Sequence, residues 1–225
     1  MESALIVGAG SGLSGSLARL LAADGWQVAL AARNVEKLSS LKTLNLRCDA
    51  TDAAQVEQMF AAFEKQIGIP DLVVYNASWR TRGPFVELKT DDVRKAIEVS
   101  AFGGFLVAQA AAKRMLPRGR GAIFFTGASA SVKGYAQSAP FAMGKFALRG
   151  LAQSLARELA PKNIHVAHFV IDGGIKAADD PRAVERGEDA MLLPDEIAKN
   201  YLNVYRQHRS AWTWEVELRP WSERF

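Results

Sequence analysis

The sequence predicts an α/β chain, a doubly wound seven-stranded parallel sheet with helices on both faces, in a single domain over residues 1–225. Three observations carry this. Short apolar runs alternate with longer amphipathic stretches along the whole chain. The runs hold few polar positions, as strands buried on both faces do. A glycine-rich string follows the first run directly. Parallel neighbours need a helical crossover, so seven runs separated by six helical stretches leave little choice of architecture. With 49% hydrophobic and 23% charged residues, 225 residues suffice for one sizeable core.

The elements follow in order. Ala4–Val7 is the first strand, and Ser14–Ala23 a helix with Leu17, Leu20 and Leu21 on one stripe, closed by Asp24-Gly25. Trp26–Ala32 is the second strand, after which Asn34 caps a helix through Leu41. Leu44–Cys48 is a strand; Thr51 or Asp52 then caps a helix to Ile67 that aligns Val56, Met59, Phe60 and Phe63. Pro70-Asp71 ends it and Leu72–Tyr75 follows as a strand. A long helix runs from Thr90 to Met115, stopped by Pro117 and the Gly119–Gly121 segment. Ala122–Thr126 is a strand, Pro140–Leu159 a helix, and Val166–Ile171 a strand. Pro194 opens a last helix. In the final strand Trp214, Val216 and Leu218 alternate with Glu215, Glu217 and Arg219 and are expected to be buried.

Composition narrows function by exclusion. Cys48 is the sole cysteine, which rules out an intrachain disulfide or a cysteine-based metal cluster, and His165, His168 and His208 lack ligand-like spacing, so no metal site is expected. No apolar stretch of about 18 residues exists, which points away from membrane spans and towards a cytoplasmic protein. The net charge of +4 is scattered, with no basic run suited to nucleic acid. Basic residues do interleave with Trp212, Trp214 and Trp221, but the alternation there reads as a strand.

Gly8-Ala9-Gly10-Ser11-Gly12-Leu13-Ser14-Gly15 lies between the first strand and the first helix. Glycines there permit positive φ and let backbone N–H groups approach an anionic pyrophosphate at a helix N-terminus, the dinucleotide arrangement of Rossmann-type domains. On Gly8-x-x-x-Gly12 the chain resembles the short-chain dehydrogenase/reductase family. Cys48-Asp49-Ala50-Thr51 is similar to its adenine-contacting Asp segment, Tyr75-Asn76-Ala77-Ser78 to its Asn-Ala-Gly segment, and Phe141-Ala-Met-Gly-Lys145 holds the place of its Tyr-x-x-x-Lys motif. The resemblance extends from about residue 4 to 219. The fingerprint's third glycine falls at Ser14, with Gly15 one position late. The resemblance implies a nicotinamide dinucleotide bound by Gly8, Gly10, Ser11, Gly12, Leu13, Arg33, Asp49, Ala50, Asn76, Ala77, Lys145 and Gly173.

After the second strand, Ala32-Arg33 stands where a carboxylate would bond the ribose hydroxyls and repel a 2′-phosphate. A guanidinium suits that phosphate instead. NADP(H) is therefore expected over NAD(H).

The family's catalytic set is only partly present. Lys145 matches its Lys. Phe141, without an ionisable proton, stands at the Tyr position, Ala128 thirteen residues before it at the Ser position, and Ser100 at the Asn position. Ile171-Asp172, followed by Gly173 and Gly174, replaces the Pro-Gly after the sixth strand. Ser129 is one residue from the expected Ser, and Ser131, Tyr135, Ser138 and Asp172 could also border the site. Two readings stay open. One is an NADP(H)-dependent oxidoreductase acting on a small carbonyl, alcohol or activated acceptor, with Lys145 and Ser129 in its site. The other is a catalytically silent NADP(H)-binding sensor, regulatory or scaffold protein.

The charged residues 172–193 and the stretch Ser78–Phe85, with Trp79, Arg80 and Arg82, lie where the family closes over substrate, and admit a small anionic or aromatic molecule. The stretches 90–116 and 140–160 match helices through which family members pair, and their Ala- and Gly-rich composition predicts a homodimer or homotetramer.

Overall fold

The computed structural model describes residues 1–41, 43–177, 180–187 and 189–223. Seven strands form one sheet: β1 (Ser3–Val7), β2 (Gln27–Ala32), β3 (Leu44–Arg47), β4 (Leu72–Tyr75), β5 (Gly121–Thr126), β6 (Ile164–Ile171) and β7 (Glu215–Leu218). Their order is β3-β2-β1-β4-β5-β6-β7, and every pairing is parallel. The order reverses between β1 and β4, where Val7 pairs with Tyr75 and the chain leaves the sheet on both sides. Such a switch point opens a crevice at the carboxyl ends of the strands.

The period of two along each strand divides the core between two faces. Leu5, Val7, Val73, Tyr75, Ile123 and Phe125 face α2 (Ala53–Gln66), α4 (Gly103–Met115) and α5 (Ala139–Leu159). Ala4, Ile6, Val74, Phe124 and Phe169 face α1 (Leu13–Ala23) and α7 (Pro194–Tyr205), whose Leu17, Leu21 and Tyr201 are buried. Phe169 and Tyr201 stack at 3.7 Å between centroids. Asp52 caps α2 as its position suggests, accepting hydrogen bonds from the amides of Ala54 and Gln55.

Four elements depart from the sequence reading. The helix expected from Asn34 to Leu41 is a single 3₁₀ turn, Glu36–Leu38, because Asn34 Oδ1 accepts from the Glu36 amide in a local turn. The long helix 90–115 is divided: α3 (Thr90–Ile97) passes through a π-helical turn, Glu98–Phe102, into α4. Within the charged 172–193 segment, Asp180 caps a short helix, α6 (Pro181–Arg186). β7 is half-buried, not buried, because it is the sheet's last strand.

Close packing at α5 rests on Gly144. A Cβ there would stand 2.8 Å from the Ser100 Cβ and 2.9 Å from the Ala96 carbonyl. Its absence lets the helix carrying Lys145 lie against the π turn.

Candidate functional site

The crevice above the switch point has two lobes, of about 540 and 610 Å³. They meet at Gly8, Asn76 and Ser78, which line both.

The glycine turn forms the shared wall. Gly8 has φ +83°, and a Cβ on it would come within 2.3 Å of the Ala77 backbone, so β1 and the segment after β4 touch only because Gly8 has no side chain. Gly10 and Gly12 are different: a Cβ on either would meet nothing within 4 Å, and both line the first lobe. Packing does not require them. Gly12 caps α1 with no side-chain hydrogen bond to its first turn, so that turn's donors are left for a ligand. Ser14, at the third-glycine position, is buried and accepts from Asn76 Nδ2 at 2.9 Å, tying the turn to β4. Leu13 also lines this lobe; Ser11, expected among the binding residues, is exposed and lines neither lobe.

Arg33, Asp49, Ala50, Asn76 and Ala77 come together around the second lobe. The Asp49 carboxylate is held by the amide of Thr51 at 3.0 Å and its hydroxyl at 2.8 Å. Lys37 joins Arg33 on the same lining. The sequence reading missed it, although a second cation four residues after the first was visible. Trp79 is half-buried beneath two cations, with Lys95 Nζ 3.9 Å and the Arg33 guanidinium 6.0 Å from its ring centroid.

The first lobe continues from the glycine turn to Thr126, Ala128, Ser129, Phe141, Lys145 and Gly173. Lys145 is buried, and its Nζ donates to the Thr126 carbonyl at 2.7 Å. Burial pushes its pKa down to about 8, since desolvation disfavours the ammonium. An ammonium carries three N–H donors, and Nζ has one protein acceptor among the described residues. Phe141 lies beside it, its ring 5.8 Å from Nζ and 5.1 Å from the Arg80 guanidinium.

The other candidates separate cleanly. Ser129 reaches the crevice. Ser131 is buried and turned back, its Oγ accepting from the Ala128 amide at 3.1 Å. Ser100 is likewise buried beneath the site, with its Oγ accepting from the Trp79 amide at 3.4 Å; it does not line the crevice. Tyr135, Ser138 and Asp172 border a third cavity, of about 330 Å³, against the substrate-side segments.

A seven-stranded parallel sheet with a glycine turn at its switch point defines a dinucleotide-fold α/β protein. The chain belongs to the short chain dehydrogenase family, whose model matches residues 2–180. It is 31% identical over 184 residues to the 3-oxoacyl-[acyl-carrier-protein] reductase MabA of Mycobacterium tuberculosis, covering 82% of this chain and 73% of that protein. Among solved structures, a short-chain dehydrogenase from Rhodopseudomonas palustris is 34% identical with a TM-score of 0.82, over 97% of this chain and 99% of that one. A metagenomic short-chain oxidoreductase in complex with NADP is 25% identical with a TM-score of 0.84, over 97% and 96%.

Proposed function

We propose that this chain is an NADP(H)-dependent oxidoreductase that interconverts a small carbonyl compound and its alcohol, or reduces an activated acceptor, with Lys145 as the proton donor. The observation that carries this reading is one crevice lined in turn by Arg33 and Lys37, by the open glycines Gly10 and Gly12, and by Lys145. The NADP-bound relative of the same fold supports the choice of cofactor.

The residues present fit such a cofactor. Gly10 and Gly12 leave free the space a pyrophosphate needs, the first-turn amides of α1 supply donors, and Arg33 with Lys37 offers two cations to a 2′-phosphate. NADPH, when bound, supplies the hydride. Ser129 then holds the substrate oxygen by a hydrogen bond. Lys145 Nζ gives that oxygen its proton as the carbonyl carbon is reduced, leaving a neutral amine that solvent reprotonates. An acid with a pKa of about 8 is matched to proton transfer near neutral pH, which a serine hydroxyl is not. Phe141 forms the wall beside Lys145, its ring 5.8 Å from Nζ, and leaves the amine within reach of solvent through the open crevice.

Titration with NADPH and NADH tests the pocket. NADPH is expected to bind at micromolar concentration or tighter, and NADH more weakly. Arg33→Ala with Lys37→Ala should weaken NADPH about tenfold or more, on the order of 1.4 kcal/mol, and leave NADH unchanged. Equal affinity for the two cofactors would remove the NADP(H) preference; binding of neither would end the enzyme reading. Phe141 and Ala128 favour a second reading, a nucleotide-binding protein without turnover. NADPH binding without oxidation across a broad carbonyl panel would support that instead.

A further inference from the structure

The third cavity opens directly onto the proposed reaction site, sharing Arg80, Ser129, Phe141, Gly173, Gly174 and Arg182 with the lobe that holds Lys145. Arg82 and Arg186 also line it. Four guanidiniums thus converge from two separate segments, the loop after β4 and the short helix α6.

Among the described residues their counter-charges are few. Asp180 neutralises Arg182 through Nε at 2.8 Å. Asp172 lines the cavity but is held by Lys133 at 3.2 Å and by Arg219 at 3.8 Å. Glu223 is the other carboxylate on the lining among the described residues. Among the described residues, Arg80, Arg82 and Arg186 make no hydrogen bond or ion pair with the protein. Arg80, an exposed residue, rests on the Phe141 ring, and partial desolvation together with the neighbouring Arg82 and Arg182 lowers its pKa. Like charges held together in excess of the carboxylates beside them repel one another, and an anion between them removes that repulsion. The planar guanidinium fork matches carboxylate and phosphate oxygens, and about 330 Å³ sits at the small end of ligand cavities.

We propose that this arginine-lined cavity is an anion subsite, so that the substrate is a small carbonyl or alcohol compound carrying a carboxylate or a phosphate group. The anion lies between Arg80, Arg82 and Arg186, and a short carbon chain passes the Phe141 ring to place the reacting carbon by Ser129 and Lys145. This deepens the oxidoreductase reading and rests on it.

The test is calorimetric titration with succinate and with glycerol 3-phosphate, beside uncharged succinamide and glycerol, using the chain alone and the chain saturated with NADP⁺. Saturable binding of either anion to the NADP⁺-loaded chain is expected, without binding of its neutral analogue. Succinate alone would mark a carboxylate substrate, and glycerol 3-phosphate alone a phosphate ester. Arg82→Ala with Arg186→Ala should weaken the anion about tenfold or more while NADP⁺ affinity and melting temperature stay put. No anion binding, or binding that the double variant leaves unchanged, overturns the subsite and spares the cofactor reading. If NADP⁺ itself fails to bind, the cofactor reading falls, and the same variant comparison on the chain alone still decides whether the arginines hold an anion.

Discussion

At the scale of single residues, the proposal turns on Lys145. With Lys145 as the proposed proton donor and its pKa near 8, reduction of a carbonyl should fall off as pH rises through that value, because the donor is lost above it. Lys145→Met should lower turnover about 100-fold or more and abolish that limb of the pH–rate profile. The same group sets a stability trend. Folding lowers its pKa from 10.5, so between about 8 and 10.5 the unfolded chain binds more protons, and stability rises with pH across that window. Denaturation of Lys145→Met at several pH values should show a flatter curve. Much of the site was legible at this scale: the glycine turn, Arg33, Asp49, Asn76 and Lys145 all reach one crevice. What stayed hidden was side-chain direction. Ser129 and Ser131 are two apart in a 3₁₀ turn, and only the structure shows that one faces the crevice while the other bonds back to the Ala128 amide.

At the scale of elements, the glycine turn joins two separable demands. Gly8 serves the fold, since its positive φ and its 2.3 Å approach to Ala77 forbid a side chain. Gly10 is not needed by the fold, since nothing of the protein fills the space beside it, and in the proposed cofactor pocket it serves the ligand. Gly8→Ala should therefore destabilise the chain by about 1–3 kcal/mol or more, seen as a lowered melting temperature. Gly10→Ala should leave melting nearly unchanged and weaken NADPH binding by calorimetry; equal melting losses in the two variants would refute the distinction. Strands were the most legible elements, because burial on both faces writes itself as unbroken apolar runs. The π turn Glu98–Phe102 was not legible. Its one extra residue per turn leaves hydrophobic spacing close to helical on either side, and the shift is set by packing against α5 at Gly144.

At the scale of the whole molecule, the π turn with α4 and the neighbouring α5 carries large apolar side chains that the chain does not cover: Phe102 and Phe105, stacked at 6.1 Å, and Met143 and Phe146. Exposed apolar groups on adjoining helices suit a second copy of the chain. Light scattering at micromolar concentration should give at least a dimer, and Phe105→Glu with Phe146→Glu should reduce it to a monomer that keeps its helical content. A wild-type monomer would refute this. The π turn lends that surface a second significance. Phe102 points outward from the same turn in which Ser100, two residues earlier, supports the Trp79 amide beneath the crevice. Rewinding the turn to α geometry would swivel α4 by about 100° against α3. One π turn thus carries both a ring of the molecule's outer face and a hydroxyl beneath the crevice floor, so a change of winding there would be felt at both.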